Sequence, residues 1–231
     1  MSTPRTKVRE APRISVNGLA EYLVAGAGQR RRIIEQQKRP RTFQVAYYRE
    51  AEEAICSFLL SEGRDADLLK RAVLELRTGT GEKEWEVSRR QACVEAIGCI
   101  QRAVSEIPLA GLEIKRGSNT VKPLVISGVT VSVRPELLLC AEREGARRIG
   151  AVKLFFSKTE AVTEEQARYA GTLVQQHMET TYPRVGTADY HLCFVLDVLG
   201  QKVFRAPGSY KRRRNDVEAA CEEIGRAWAS A

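Results

Sequence analysis

Residues 129–158 read VTVSVRPELLLCAEREGARRIGAVKLFFSK, and this stretch decides the fold. Val129, Val131 and Val133 alternate with Thr130 and Ser132, the two-residue period of a half-buried strand. A dense apolar run follows Pro135, then a charged, glycine-containing turn, then a second dense run ending in Leu154, Phe155 and Phe156. With VKPLVISG at 121–128, the region predicts three consecutive strands forming a meander: VKPLVISG, VTVSVRPELLLCAE and RRIGAVKLFFSK.

Working outward, Thr163 and Gln166 form a capping box that opens a helix through TEEQARYAGTLVQQHMETTY. An apolar strand, HLCFVLDVL, and a shorter partner, KVFRAP, come next. Asn215 and Glu218 predict the cap of a last helix carrying Val217, Ala220, Ile224 and Trp228.

Upstream of Pro108 the period is helical. Ser15 or Asn17 caps a helix with Leu19, Tyr22 and Leu23 on one face, and Gly26 and Gly28 divide it from Ile33 and Ile34. Ala51, Ala54, Ile55, Phe58 and Leu59 repeat the spacing, as do Leu68, Leu69, Ala72, Val73 and Leu76. A longer helix carries Trp85, Ala92, Ala96, Ile97, Ile100 and Val104 on one side.

The expected organisation is a flexible basic arm at 1–13, a helical region at 14–107, and an α/β (α+β) core at 108–231. The core should hold a central mixed sheet flanked by helices, with the helical region packed on it as an annex.

Composition narrows the partners. Of 231 residues, 43% are hydrophobic and 29% charged, enough for a packed core. The net charge of +8 favours a polyanion. No apolar run approaches the about 20 residues of a membrane span, and MSTPRTKVREAPR lacks the apolar stretch of a secretory signal, so a cytoplasmic protein without a membrane partner is expected. The six cysteines form no C-x-x-C pair and there are two histidines, which argues against zinc or an iron–sulfur cluster and for buried free thiols. His177 and His191 have no ligand partner at metal spacing and read as structural. TGTGEK at 78–83 lacks a preceding strand, and there is no G-x-x-x-x-G-K-[ST] loop, so no nucleotide is expected.

Basic runs are the firmest functional signal: Arg30-Arg31-Arg32, Lys38-Arg39 with Arg41, Arg89-Arg90, Arg147-Arg148 and Lys211-Arg212-Arg213-Arg214. Phosphate contacts need positive charge and no particular sequence. Tyr210 beside the last run adds a stacking surface. Nucleic acid, DNA more than RNA, is the expected partner, with a protein partner in a multi-subunit system as a further possibility.

Glu136 after Pro135 on one predicted strand and Lys153 on the next, followed by a capped helix and another strand, resemble the PD-(D/E)XK nuclease superfamily over roughly residues 120–200. ISVNGLAEYL at 14–23 is similar to the opening helix of its RecB-like members. The resemblance implies a Mg²⁺- or Mn²⁺-dependent nuclease acting in DNA processing or phage defence. Glu136, Lys153 and Gln166 would be catalytic, and Glu136, Asp197 and Glu53 (or Glu50) would hold the metal, with Glu165 another possible substitute acid. Arg30, Arg31, Arg32, Tyr169 and Lys211 to Arg214 would contact nucleic acid. The acid two residues before the lysine is replaced by Ala151. That substitution opens the alternative of a catalytically inactive protein that binds nucleic acid or a partner protein.

Overall fold

The computed structural model describes residues 8–40, 47–80, 83–118, 120–158 and 161–230. Most of the predicted arm (1–7), Arg41 and part of the TGTGEK turn lie outside the described residues.

The chain is a mixed α and β protein with two mixed sheets. Strands β2 (Glu113–Arg116), β5 (Leu137–Arg143), β6 (Ala146–Phe155), β7 (Thr187–Asp197) and β8 (Lys202–Arg205) form the main sheet in the order β2-β5-β6-β7-β8. β5 and β6 are an antiparallel hairpin, whereas β6 and β7 run parallel and are joined through helix α6 (Glu164–Thr181). Residues 149–155 of β6 are all buried, with Ala151 and Phe155 on one face and Val152 and Leu154 on the other, as a central strand covered on both sides requires.

The helices of 14–107 divide between the two faces of that sheet. Helices α1 (Val16–Val24) and α2 (Ala27–Lys38) join α6 and α7 (Lys211–Trp228) over one face. Helices α3 (Arg49–Leu60), α4 (Ala66–Thr78) and α5 (Glu84–Val104) cover the other. Each face of the sheet needs its own apolar lid, so adjacency along the chain does not decide which helices share a layer. On α5, Trp85 departs from the predicted apolar side and is half exposed, with Arg89 over its ring.

Three further expectations are corrected. Residues 9–13 are not a free arm: the Arg9 amide donates to the Lys38 carbonyl at 2.9 Å, and β1 (Arg13–Ser15) runs parallel to β4 (Val129–Ser132). The Trp228 indole N–H donates to the Arg9 carbonyl at 3.3 Å. VTVSVRPELLLCAE is not one strand. It breaks at 133–136, where Pro135 supplies no N–H and restrains the residue before it. β4 joins β1 and β3 (Leu124–Ile126) in a small sheet, while β5 enters the main one. The charged edge strand β2 falls in a segment that carried no strand signal.

The helix caps explain where the remaining elements begin. Ser15 caps α1, accepting from the Gly18 amide at 3.1 Å, and Thr163 caps α6, accepting from the Gln166 amide at 3.2 Å, both as expected. The chain breaks between α1 and α2 at Ala25 and Gly26, also as expected. Helix α7 starts at Lys211 rather than at an Asn215 cap, because the basic run is itself helical and buries Arg213 against α6.

Candidate functional site

Glu136 stands at the entrance to β5, where backbone hydrogen bonds anchor it from two sides. Its amide donates to the Val152 carbonyl at 3.0 Å, and its carbonyl accepts from the Gly117 amide at 2.9 Å. Gly117 is required for that approach, since a β-carbon there would lie 1.8 Å from the Pro135 carbonyl oxygen. Opposite, β6 presents Lys153. The two side chains are 8% and 10% exposed and form a hydrogen-bonded ion pair through Glu136 Oε1 and Lys153 Nζ. The second oxygen, Oε2, accepts from the Leu154 amide at 2.6 Å.

Burial pushes the Glu136 carboxyl above its ordinary range, opposed by the Lys153 charge and the Leu154 N–H, while the negative charge of Glu52 adds to the rise. Among the α3 acids, Glu52 is the one whose charge bears on this pair. Glu53, expected in that role, is exposed and bound to Arg49 at 3.0 Å. The helix phase carried the signal: Glu52 lies one turn before the buried Ile55 and Cys56, whereas Glu53 lies one turn after Arg49 on the outer face. Glu50, the other α3 acid considered, pairs with Arg89.

The other expected site residues are occupied elsewhere. Asp197, fully buried at the end of β7, accepts from the Val162 amide at 2.9 Å through Oδ2 and from the Gly200 amide at 3.0 Å through Oδ1. A β-carbon at Gly200 would sit 2.2 Å from Asp197 Oδ2, so the turn closes directly on the carboxylate. Gln166 contributes its backbone amide to the α6 cap. Glu165 binds Arg213 at 3.2 Å. Ala151, at the position of the absent acid, is fully buried in the apolar cluster between the sheet and α6.

The set Glu136, Glu53 and Asp197 thus does not fit a divalent ion. One of its members bonds Lys153 and an amide, one binds Arg49 on the surface, and one staples two loops. Among the described residues no three His, Cys, Asp or Glu side chains are grouped where they could hold a metal. All six cysteines are free, and burial pushes the Cys56, Cys193 and Cys221 thiols up to about 12.

The expected nucleic-acid residues divide in two. Arg213 is 7% exposed and bound to Glu165, Arg214 binds Glu179 at 2.7 Å and lies 4.1 Å over the Tyr210 ring, and Arg30 binds Glu223 at 3.3 Å. Tyr169 is buried, its hydroxyl donating to Asp216 at 2.9 Å, so it is an internal residue rather than a stacking platform. Arg31, Arg32, Lys211 and Arg212 are exposed.

No protein-family model matches this chain, and no curated protein matches it in sequence. Among the described residues no helix is long and apolar enough to cross a membrane.

Proposed function

We propose that this protein binds nucleic acid, DNA in preference to RNA, through a nuclease-like core that has kept the acid–lysine pair for structure rather than for cutting. The observation that carries the reading is the use made of Glu136, whose two carboxylate oxygens are committed to Lys153 and to the Leu154 amide. The strand–strand–helix–strand order on which the PD-(D/E)XK resemblance rests is present as β5, β6, α6 and β7, and apolar Ala151 fills the place of the absent acid. The net charge of +8 and the exposed Arg31, Arg32, Lys211 and Arg212 support a phosphate-rich partner.

A hydrolytic reading is favoured by the phase of α3, which leaves Glu53 exposed and Glu52 half-buried, with the Glu52 charge bearing on Glu136. In that reading Glu52, Glu136 and Lys153 would form the centre, with Mg²⁺ or Mn²⁺ required. Labelled single- and double-stranded DNA and RNA, incubated with and without each metal, separate the two. The binding reading expects retention that weakens steeply with salt, with the log–log slope falling by about 1 for each exposed cation removed. It also expects intact strands. Metal-dependent cutting that disappears in Glu52→Gln and Glu136→Gln proteins would replace it with the hydrolytic one.

A further inference from the structure

The parallel pairing of β1 with β4 has a second effect. It places Arg13 at the mouth of α1 beside the β4–β5 connection that carries Arg134. Arg9 is held there by its backbone bond to Lys38 and by its guanidinium, which donates to the Gln37 carbonyl at 3.1 Å. These three arginines and Lys153, whose charge is met by Glu136, line a cavity of about 460 Å³ at the N-terminal end of α1. Among the described residues no lining residue is acidic, and the first turn of α1 carries no acid to oppose its positive end. The lining also includes Ser15 and Ser132.

The surroundings distinguish this cavity from two other groups of arginines. At the start of α7, Arg213 and Arg214 are neutralised by Glu165 and Glu179. In the groove between α3, α4 and α5, the arginines face Glu50, Glu53 and Glu75. At the mouth of α1 the like charges are left facing one another: burial and the Arg13 charge together hold the Arg9 guanidinium below its ordinary value.

We infer that this cavity is a binding site for a phosphate group, with Arg9, Arg13 and Arg134 supplying the charge and α1 the backbone donors. Guanidinium forks and amides at a helix start match phosphate oxygens in both geometry and sign. The inference rests on the nucleic-acid reading for the source of the phosphate, either a terminal monoester or an internal diester of the strand. The site itself stands on the geometry alone.

The test uses the full chain and two probes. Thermal unfolding is followed in inorganic phosphate against chloride at equal ionic strength, for the unmodified protein and for Arg13→Gln and Arg134→Ala. Arg134 is exposed, so its removal leaves the core intact. At about ten times Kd, phosphate should raise the transition by roughly 3–6 °C, and each variant should weaken phosphate binding by roughly tenfold or more. A response no larger than that of chloride, or one retained in both variants, overturns the site.

Oligonucleotides with a 5′-phosphate, with a 5′-hydroxyl, and circularised are then compared. Preference for the 5′-phosphate that is lost in Arg134→Ala assigns a terminal group. Equal affinity for all three, falling together in Arg134→Ala, assigns an internal diester. Salt-sensitive strand binding without a phosphate response removes the site and leaves the proposed function. A phosphate response without strand binding does the reverse.

Discussion

Glu136 and Asp197 are two enclosed carboxylates of one sheet, and they are neutralised in different ways. Glu136, at the entrance to β5, meets a cation, Lys153, and a single amide. Asp197, at the end of β7, meets two amides, those of Val162 and Gly200. An ion pair places two charges in a poor solvent, and each then depends on the other for its cost to be offset. An amide-bound carboxylate ties down backbone that would otherwise need water, and neutralises itself with dipoles that are already in place. The first arrangement makes a point of vulnerability in the sheet, and the second a staple between two loops.

The largest expected effect comes from breaking the first arrangement on one side. Lys153→Met leaves Glu136 buried without a cation and should cost about 3–5 kcal/mol in urea unfolding. The double replacement Glu136→Gln with Lys153→Met should recover most of that loss. If the single replacement costs under about 1 kcal/mol, Glu136 has found solvent and the contrast with Asp197 fails.

His177 extends the comparison to an enclosed base with no cation to answer. It is fully buried on α6, with Nε2 unpartnered and Nδ1 3.2 Å from the Thr181 hydroxyl, and burial lowers it from 6.5 to about 4. The unfolded chain takes up the proton near pH 6.5 and the folded one only near pH 4. Stability is therefore full above pH 6.5 and falls as the pH drops towards 4, by up to about 3 kcal/mol. His177→Leu should flatten that part of the unfolding profile. A profile identical to that of the unmodified protein would mean that His177 protonates without penalty.

The smallest effects sharpen the staple. Asp197→Asn turns an acceptor into a donor facing an amide and should cost about 1–3 kcal/mol. Glu53→Ala, on the exposed face of α3, should stay within about 0.5 kcal/mol. Equal costs for the two would show that enclosure is not what separates them.

Glu136 and Lys153 were singled out in the sequence only by the resemblance, as a metal ligand and its charged helper, whereas the structure joins them as an ion pair. The absent acid at Ala151 is likewise defined only by that resemblance. Glu50 and Glu53 were the α3 acids expected at the site, and Glu52 was not among them; on a helix one residue is about 100° of rotation, enough to move a carboxylate from the sheet to solvent. Asp197 was read as a possible ligand because its apolar strand gives no sign of the two amides that converge on it. Its partners lie at Val162 and Gly200, outside the strand itself.

Strand and helix periods, the Ser15 and Thr163 caps, the break at Gly26 and the order of elements from β6 to α7 all follow from local chemistry. That chemistry acts over a few residues and is written in the sequence. The division of the N-terminal helices between two faces, the capture of residues 9–13 by α2, α7 and the small sheet, and the fate of each arginine were decided by the tertiary structure. A contiguous run such as 211–214 meets whatever acids α6 presents and is partly neutralised there. Arg9, Arg13 and Arg134, scattered along the chain and unremarkable in it, are gathered around one cavity by β1 pairing with β4. Charge density at a site is a property of three-dimensional proximity, and only the fold sets that distance.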